Sequence, residues 1–578
     1  MRPLLLLAAV TALVSASCYS PGDGQPPPLD KLYFPTGLAL DEPFRFDGTL
    51  ATMEADIRAG KPSSEPRPSA GYLYVASSDF DLQYRSSSLL SYDLGLLRQA
   101  VPRSCTELKD CEPDEVCDSK ATAANGQVPS YFCVNADDQL PCPVVGERGN
   151  ADRLLYPGRC NSLDPARLIR STVGIGAFAT DVIFAASPES SPTPSPSPSL
   201  SRLFLPVRGD ATLHWIDLND GQLLCDQDST DDDSCGHSHR AGDDPTANNN
   251  NIQQPAEPFG IAATQDGRYL AITNQTGGSV SLFTHAWGTP DGPELVTILG
   301  GLPQAPVAIA AVPDPFLTPD PDKPNPDRSN PSPGFLVAYR NAAQLDLLRV
   351  RDDDTDNGTS SDYPRYALTY AGSSAIGANS LGYDSRDIVI DDTARLHDCG
   401  AKTDPANVAD PDAYVACVAA ADRPDVYVAN RAPASLLVGA LTADFSYASG
   451  SNDLPSFNDS VALTSGPSRL VRGQVKVTGH TYHDENGTTY DLESRVFIVC
   501  FDSRRIFVYD PKRHVIESII ATGRGPYALA VDEGRGLAYV AHFTDSYLGV
   551  VSLDQRYPQT YATIVASIGN PLPPRSSK

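Results

Sequence analysis

Short apolar runs separated by turn residues repeat along the whole chain. In each unit, a turn containing Pro, Gly or a small residue leads into an apolar run, and a second run ending in a polar residue follows, as in 258–263 and 270–274. Apolar runs of this length bounded by turns are typical of strands. Seven such first strands can be counted, within 35–40, 180–184, 258–263, 306–310, 386–390, 467–471 and 526–531.

Third and fourth strands complete these units, most clearly at 506–510 and 515–520. Four short strands in a repeated unit predict an all-β chain folded as a seven-bladed β-propeller, with long loop insertions and a small disulfide-rich insertion. The 51 prolines and 43 glycines agree with short strands and long loops. A repeat architecture of this kind can hold all 578 residues around one closed core.

The last two units carry a family resemblance. Gly525 and Pro526 enter the apolar strand 527–531, a turn with Asp and Gly follows, and the second strand reads Tyr-Val-Ala-His up to His542. This segment resembles the YVTN-type β-propeller repeat, although the family usually has Asn where His542 stands. The resemblance is close over 515–553 and implies a seven-bladed fold used mostly for binding and scaffolding.

The N-terminus has the parts of a secretory signal. Arg2 supplies a positive charge, residues 4–14 are apolar, and small residues precede Cys18. The arrangement resembles a bacterial lipoprotein signal, in which the cysteine is lipidated and becomes the new N-terminus, although Ser15 replaces the usual Leu. Ordinary cleavage and secretion is the alternative. We therefore expect an exported outer-membrane lipoprotein, on the periplasmic or the surface side. The predicted layout is a signal peptide at 1–17, a tether at 18–30, the propeller at 31–570 and a tail at 571–578.

Eleven cysteines follow Cys18, and exported chains meet an oxidising environment, so disulfides are expected. No C-x-x-C spacing occurs, which weakens zinc, redox and haem interpretations together. Cys500 lies inside an apolar strand and is predicted to be a buried, inert thiol. The disulfide candidates are Cys105, Cys111, Cys117, Cys133, Cys142, Cys160, Cys225, Cys235, Cys399 and Cys417.

Insertions are predicted on both faces of the disc. We expect the Cys-rich insertion 99–170 and the segment 224–256 to connect fourth strands to the next first strands. The long first-to-second-strand loops should leave the opposite face; they are 42–70, the Pro/Ser-rich insertion 186–200, 312–333, 391–424 and 476–494.

The central channel is the predicted ligand site, because residues at the start of every innermost strand converge on the axis. Asp181, Arg386, Asp387 and Arg469 would form a mixed-charge ring there. The ends of the second strands would form the next shell, with Asn274, Asn430 and His542. The alternative is that the charges pair with one another and close the channel, while the asparagines close turns. If the ring exists, Asp181 and Asp387 should lie within ~15 Å of each other.

Charge and motifs narrow the function. A net charge of −28 argues against nucleic-acid binding. The acidic run 352–358 has calcium-loop spacing but lacks the required Gly and Glu, and neither a nucleophile elbow nor a phosphate loop is present. No metal, cofactor or catalytic residue is predicted. The interpretation favoured is a non-enzymatic, monomeric module that binds an envelope protein, a peptide or a glycan; a lactonase-type hydrolase using the axial pocket is the alternative.

Overall fold

A computed structural model describes most of the strand-forming chain. The described residues are 25–41, 71–100, 103–105, 115–118, 131–135, 163–186, 201–226, 235–264, 267–287, 291–313, 333–352, 366–376, 383–392, 424–441, 454–464, 466–483, 489–555 and 560–569.

Seven antiparallel sheets, numbered here as blades 1 to 7, account for nearly all the strands. Blade 1 contains β1 (Pro35–Leu40), β2 (Tyr72–Ser77), β3 (Ser87–Asp93) and β7 (Ile169–Ile175). Blade 2 contains β8 (Ile183–Ala186), β9 (Ser201–Val207), β10 (Thr212–Asn219), β11 (Gln222–Leu224) and β12 (Arg240–Ala241). Blade 3 contains β13 (Pro258–Ala263), β14 (Tyr269–Asn274), β15 (Ser279–Thr284) and β16 (Glu294–Leu299). Blade 4 contains β17 (Pro306–Ala311), β18 (Gly334–Tyr339), β19 (Gln344–Asp352) and β20 (Tyr366–Ala375).

The C-terminal blades have the same plan. Blade 5 contains β21 (Tyr383–Asp391), β22 (Asp425–Ala432), β23 (Ala434–Leu441) and β24 (Pro455–Ala462). Blade 6 contains β25 (Pro467–His483), β26 (Thr489–Cys500), β27 (Arg505–Asp510) and β28 (Val515–Ala521), and blade 7 contains β29 (Pro526–Asp532), β30 (Leu537–His542), β31 (Tyr547–Ser552) and β32 (Thr563–Ile568). A separate small sheet has the order β4 (Arg103–Cys105), β6 (Tyr131–Asn135), β5 (Glu115–Asp118). Within the described ranges, the helices are α1 (Leu94–Ala100) and three short 3-10 helices at Pro165–Arg167, His237–His239 and Asn249–Asn251.

The blades form a closed ring, which confirms the predicted seven-bladed propeller. The first strand of each blade contacts the first strand of the next blade. The ring closes because β1 contacts β29, so that blade 1 meets blade 7. The backbone of Leu163 also bonds with the outer strand β32, through Leu163 N–H to the Ser567 carbonyl at 2.7 Å. Noncovalent contacts therefore join the first blade to the last.

Second strands are apolar on both sides because each lies between two other blades. In β30, Leu537, Tyr539 and Ala541 pack against blade 1, whereas Ala538 and Val540 pack toward blade 6. Full burial of one such large apolar side chain stabilises the fold by about 1.5–3 kcal/mol. This two-sided burial explains why the sequence shows continuous apolar runs rather than strict alternation.

The first strands share an irregularity near the axis. In six blades the register with the second strand shifts within the first few residues, and five of these strands begin with Pro, which has no N–H for the ladder. A bulge of this kind re-aims the side chains beside it. The shifts lie between Pro35 and Gly37, Pro258 and Ile261, Pro306 and Ala308, Ser385 and Asp387, Pro467 and Arg469, and Pro526 and Ala528.

The two faces of the disc differ in the length of their connections. We call the face where first strands begin and second strands end the upper face, and the opposite face the lower face. The second-to-third-strand turns on the upper face are short, such as 340–343 and 501–504. The longest connections all join strand ends at the lower face; they are 41–71, 94–168, 312–333 and 392–424.

Three insertions differ from the prediction. Because β3 pairs with β7, the segment 99–170 lies between the third and fourth strands of blade 1 and belongs to the lower face. In 224–256, the part before β12 interrupts the outer strand of blade 2, since β11 and β12 both pair with β10. The segment 476–494 is a hairpin arm, because β25 and β26 stay paired as far as His483 and Thr489.

The cysteine predictions are confirmed where the structure describes them. Cys225 and Cys235 form a disulfide, and Cys500 is a buried free thiol whose pKa is raised to about 12 by burial. No helix in the described ranges is long and apolar enough to cross a membrane. The side chains of the other disulfide candidates lie outside the described residues; these are Cys105, Cys111, Cys117, Cys133, Cys142, Cys160, Cys399 and Cys417.

Candidate functional site

The axis is lined by the residues that follow the first-strand bulges. Asp387 and Arg469 stand directly after the bulge, where blades 1, 4 and 7 have Gly or Ala. A side chain at Gly260 would reach within 2.7 Å of the Val307 carbonyl of the next blade, so small residues are needed where blades approach closely. The charged residues Asp387 and Arg469 therefore stand at a position where three other blades have small residues and blade 3 has Ile261.

Three of the predicted axial residues meet as one cluster, which we call the axial triad: Asp181, Asp387 and Arg469. The Arg469 guanidinium contacts the Asp181 carboxylate, and Arg469 Nε lies 3.8 Å from Asp387 Oδ2. Blades 2 and 6 are not neighbours in the ring, so the contact of Arg469 with Asp181 spans the axis. Both carboxylates contact one guanidinium and are thus well inside the ~15 Å expected for opposing sides of a channel.

Backbone groups hold the carboxylates of the axial triad in place. Asp387 Oδ2 accepts the Leu470 N–H at 2.8 Å and Asp387 Oδ1 accepts the Ile388 N–H at 2.9 Å. Asp181 Oδ1 accepts the Val182 N–H at 2.9 Å. The triad residues are only 13–20% exposed, which fits charges that are buried together with their partners.

Burial controls the protonation of the triad. It raises the pKa of Asp387 to about 6, although Arg469 and the Leu470 amide oppose the shift. Burial alone would lower the pKa of Arg469, but the two aspartates hold it above its ordinary value. At neutral pH Asp387 is therefore mostly ionised beside the charged Arg469, and it takes up a proton as the pH falls through about 6.

Arg386 is placed beside the triad but pairs elsewhere. Its Nε lies 2.7 Å from Asp384 Oδ1, and the Arg340 Nε lies 3.5 Å from the same oxygen. Burial lowers the pKa of Arg386, while Asp384 opposes the shift and the nearby Arg340 and Arg431 add to it. Arg386 is the bulged residue between Ser385 and Asp387, so its side chain leaves the strand in a different direction from that of Asp387.

The asparagines at the second-strand ends are buried within their blades. Asn274 Oδ1 accepts a bond from Gln254 Nε2 at 2.6 Å, and its Nδ2 donates to Ser281 Oγ at 2.9 Å. Asn430 Nδ2 donates to the Pro433 carbonyl at 3.0 Å. Both amides thus brace neighbouring turns and strands, as in the turn-closing alternative.

His542 is likewise part of the scaffold of blade 7. Its ring stacks on Tyr547 with centroids 4.0 Å apart, and Nε2 accepts the Gly523 N–H at 3.2 Å. Burial lowers the pKa of His542 to about 3, so the ring is neutral at physiological pH. The uncharged ring holds the connection between β28 and β29 in place by accepting the Gly523 N–H.

Sequence reasoning missed a division of the upper face into two sectors. Arg208 and Arg340 directly follow the second strands of blades 2 and 4, and Arg431 is the next-to-last residue of the second strand of blade 5. Phe501 and Phe543 directly follow the second strands of blades 6 and 7. The signal was available in the sequence, because each of these residues stands at the end of an apolar second-strand run. The upper face therefore has an arginine sector and an aromatic sector.

Acidic partners pair with the upper-face arginines. Arg208 Nη2 donates to Glu257 Oε1 at 2.6 Å, and Arg431 contacts Asp502. Farther round the ring, Arg524 contacts Asp545. With the Arg340 and Arg386 contacts to Asp384, these pairs surround the channel mouth and neutralise charge there.

The aromatic sector is built around Phe543. Phe34 lies 5.2 Å, Phe80 5.3 Å and Tyr527 5.8 Å from Phe543 between ring centroids, and Phe501 lies at 6.4 Å. Four of these five rings are half-buried, whereas Phe80 is 61% exposed. Rings at 4.5–7 Å stabilise one another beyond their buried area, so this cluster joins blades 1, 6 and 7.

Metal chemistry has no candidate in the described part of the chain. No group of three or more His, Cys, Asp or Glu there could hold a metal ion. The acidic segment 353–363 lies outside the described residues.

Comparisons with known proteins find similarity in fold alone. No family model matches the chain, and no curated protein matches its sequence. Among solved structures, a putative 6-phosphogluconolactonase from Bacteroides uniformis is 12% identical with a TM-score of 0.35, over 81% of this chain and 85% of that chain. A protein from Lactobacillus plantarum is 11% identical with a TM-score of 0.39, over 86% and 88%. Similarity at 11–12% identity does not indicate a shared activity. Because no family model matches, the YVTN-type repeat is a resemblance in sequence only.

Proposed function

We propose that the chain is an exported, lipid-anchored β-propeller that works as a non-enzymatic binding or scaffold module at the cell envelope. The observation that carries this proposal is the asymmetry of the disc. The four longest connections all join strands at the lower face, whereas the upper face has mostly short turns. A rigid ring whose longest connections join strand ends on one side is suited to presenting them to a protein, peptide or glycan partner.

The axial triad supports a structural role for the channel. Asp181 and Asp387 share Arg469 and accept backbone N–H groups, so their charges are used within the fold. His542 is neutral and stacked inside its blade. Charge pairing across the axis would stiffen the disc and close its centre.

One observation favours the alternative, a hydrolase of the lactonase type. Asp387 has a pKa raised to about 6 and lies near the axis, 15% exposed and beside Arg469. A carboxyl group with a shifted pKa in such a place is a candidate general base. Hydrolysis of a δ-lactone by the wild type and by Asp387→Asn separates the two functions. A rate that falls at least tenfold in the variant would establish the hydrolase; equal rates for both proteins support the scaffold.

Partner binding can be tested at the lower face. Segments 312–333 and 392–424 would each be replaced by a short Asn-Gly turn, and binding of envelope proteins would be compared by quantitative pull-down with the wild type. Tyr383→Ser, on an exposed side chain of the upper face, is the matched control. We expect the replacements to lose partners that the control retains. Retention of every partner by both replacements would reject lower-face display.

The anchor has its own test. Mass spectrometry of the mature N-terminus should show a diacylated Cys18 that begins the chain. A free Cys18 thiol, or cleavage at another residue, would remove the membrane anchor from the proposal.

A further inference from the structure

We infer that the upper face of the disc lies against the lipid bilayer, with the loop 78–86 of blade 1 in contact with the headgroup region through Phe80 and Leu82. This inference rests on the proposed function in one respect, the lipid on Cys18. It goes further by stating which face meets the membrane and which residues touch it.

The tether joins the disc beside the loop 78–86 of blade 1. Gln25 pairs with Tyr84, and the Arg85 N–H donates to the Gln25 carbonyl at 2.9 Å. Pro27 is buried, and Leu32 belongs to the core between blades 1 and 7. The chain is therefore docked onto the disc from its first described residues, beside an upper-face loop.

The tether is too short to pass from the upper face to a bilayer beyond the lower face. The seven residue-to-residue steps from Cys18 to Gln25 span at most about 25 Å at about 3.5 Å each. The blades are about 20 Å thick, since their strands have about six residues at about 3.3 Å rise. A tether starting at the upper face could reach past the lower face by only a few ångströms, which leaves no room for the long lower-face connections. The upper face can reach the bilayer without this conflict.

Hydrogen bonds and the backbone conformation fix the shape of the loop 78–86. The buried Asp79 carboxylate accepts the Tyr84 N–H at 3.1 Å, and the Asp79 N–H donates to Ser87 Oγ at 3.0 Å. Leu82 holds a positive φ of 54°, a conformation that costs a residue with a side chain some energy. The loop is thus fixed with Phe80 61% and Leu82 42% exposed at its tip.

The loop offers the bilayer a suitable apolar contact. Among the described residues, Phe80 is the most exposed large apolar side chain, and it stands next to the tether. Apolar and aromatic side chains on a protein surface enter the interfacial region of a bilayer, and an attached lipid chain makes such contacts persistent.

Charge does not oppose this orientation as strongly as the net charge of −28 suggests. Around the channel mouth, Glu257, Asp384, Asp502 and Asp545 each contact an arginine. Paired charges repel an anionic surface less than isolated carboxylates do. The occupant that fits is a mainly zwitterionic bilayer.

Fluorescence quenching tests the orientation. The lipidated full chain, carrying Phe80→Trp, would be reconstituted into phosphatidylcholine vesicles with brominated or plain acyl chains. Tyr370→Trp is the matched control, an exposed aromatic on the outer strand of blade 4, across the ring from blade 1. The emission of the native tryptophans, measured on the wild type, is subtracted. We expect brominated lipid to reduce emission at position 80 about twofold and to leave position 370 nearly unchanged.

The outcomes distinguish this inference from the anchor itself. Equal emission from position 80 in both vesicle types, with Cys18 carrying lipid by mass spectrometry, overturns the orientation and leaves the anchor standing. Quenching at position 370 but not at 80 does the same. A chain with an unmodified Cys18 overturns both proposals. If brominated lipid does not quench position 80 and its emission changes only when an envelope protein extract is added, the aromatic sector binds a protein and the lipid contact is rejected.

Discussion

Two charge clusters, each centred on one arginine, are assembled in different ways. Arg495 lies within blade 6 and contacts Glu493, Glu517 and Asp510, all from strands of the same sheet. Arg469 joins carboxylates that belong to two other blades. The first cluster needs only one sheet to form, while the second needs a closed ring. Disruption of Arg495 should therefore damage a blade, and disruption of Arg469 should damage the closure of the disc.

The largest effect is expected at Arg495. Its side chain is 1% exposed and Asp510 is fully buried, so Arg495→Met would remove the buried cation beside Glu517 and leave Asp510 only the exposed Arg513. Loss of one partner from a buried ion pair costs about 3–5 kcal/mol. Urea denaturation should show this drop. The control Arg513→Met removes an exposed arginine from the same Asp510 and should change the unfolding free energy by less than about 1 kcal/mol. Equal effects of both variants would contradict the central role of Arg495.

Arg469→Met comes next, with a loss of about 3 kcal/mol at pH 8. The physical reason is that Asp181 and Asp387 would face each other across the axis without a cation. The loss should shrink near pH 5, where Asp387 takes up a proton. Chemical denaturation at both pH values measures this difference; a loss that does not change with pH would show that the two aspartates do not interact.

Asp387→Asn should flatten the pH dependence of stability. The pKa of Asp387 is about 6 in the folded chain and 3.8 without burial, so folding favours the protonated carboxyl. Stability from this group is present below about pH 4 and is lost as the pH rises through about 6. This pKa difference of about two between the folded and the unfolded chain corresponds to about 3 kcal/mol of unfolding free energy as an upper bound. The difference in unfolding free energy between the wild type and Asp387→Asn, followed from pH 4 to 8, should show a change of about 2 kcal/mol. A constant difference would contradict the raised pKa.

His542→Phe supplies a neutral comparison with the smallest effect. The variant keeps a ring on Tyr547 but loses the bond from the Gly523 N–H, which costs about 1 kcal/mol at pH 8. The pKa of His542 is lowered to about 3 from 6.5, so its contribution is present above pH 6.5 and is lost as the pH falls toward 3. The variant should therefore resist acid better than the wild type. Thermal unfolding at pH 8 and at about pH 5 checks both signs.

Most of the fold could be predicted because each blade repeats a local pattern. The continuous apolar second strands exposed the repeat, since burial between two blades demands it at every unit. The fourth strand of blade 1 was missed, and with it the position of 99–170, because β7 is half-polar and only its last three residues are buried. The hairpin arm of blade 6 was missed because its residues extend beyond the part of the sheet that packs against neighbours.

The candidate site was predicted only in part. Converging first strands correctly suggested that Asp181, Asp387 and Arg469 would meet. The separation of Arg386 from Asp387 depends on a bulge, which shifts the direction of one side chain and leaves no mark in residue type. Asn274 and His542 bond with groups about 20 positions away, Gln254 and Gly523, whereas Asn430 bonds with the local Pro433.

The amino-acid sequence by itself determined the strands, their sevenfold repetition and the residues available at the start of each one, because turn chemistry and apolar patterning act over a few neighbouring residues. Only the tertiary structure decided that a cation of blade 6 would meet a carboxylate of blade 2, that the strand ends joined by the longest connections lie at one face, and that Gln25 pairs with a loop of the other face. These relations depend on how seven sheets pack around an axis, and that packing brings together residues hundreds of positions apart.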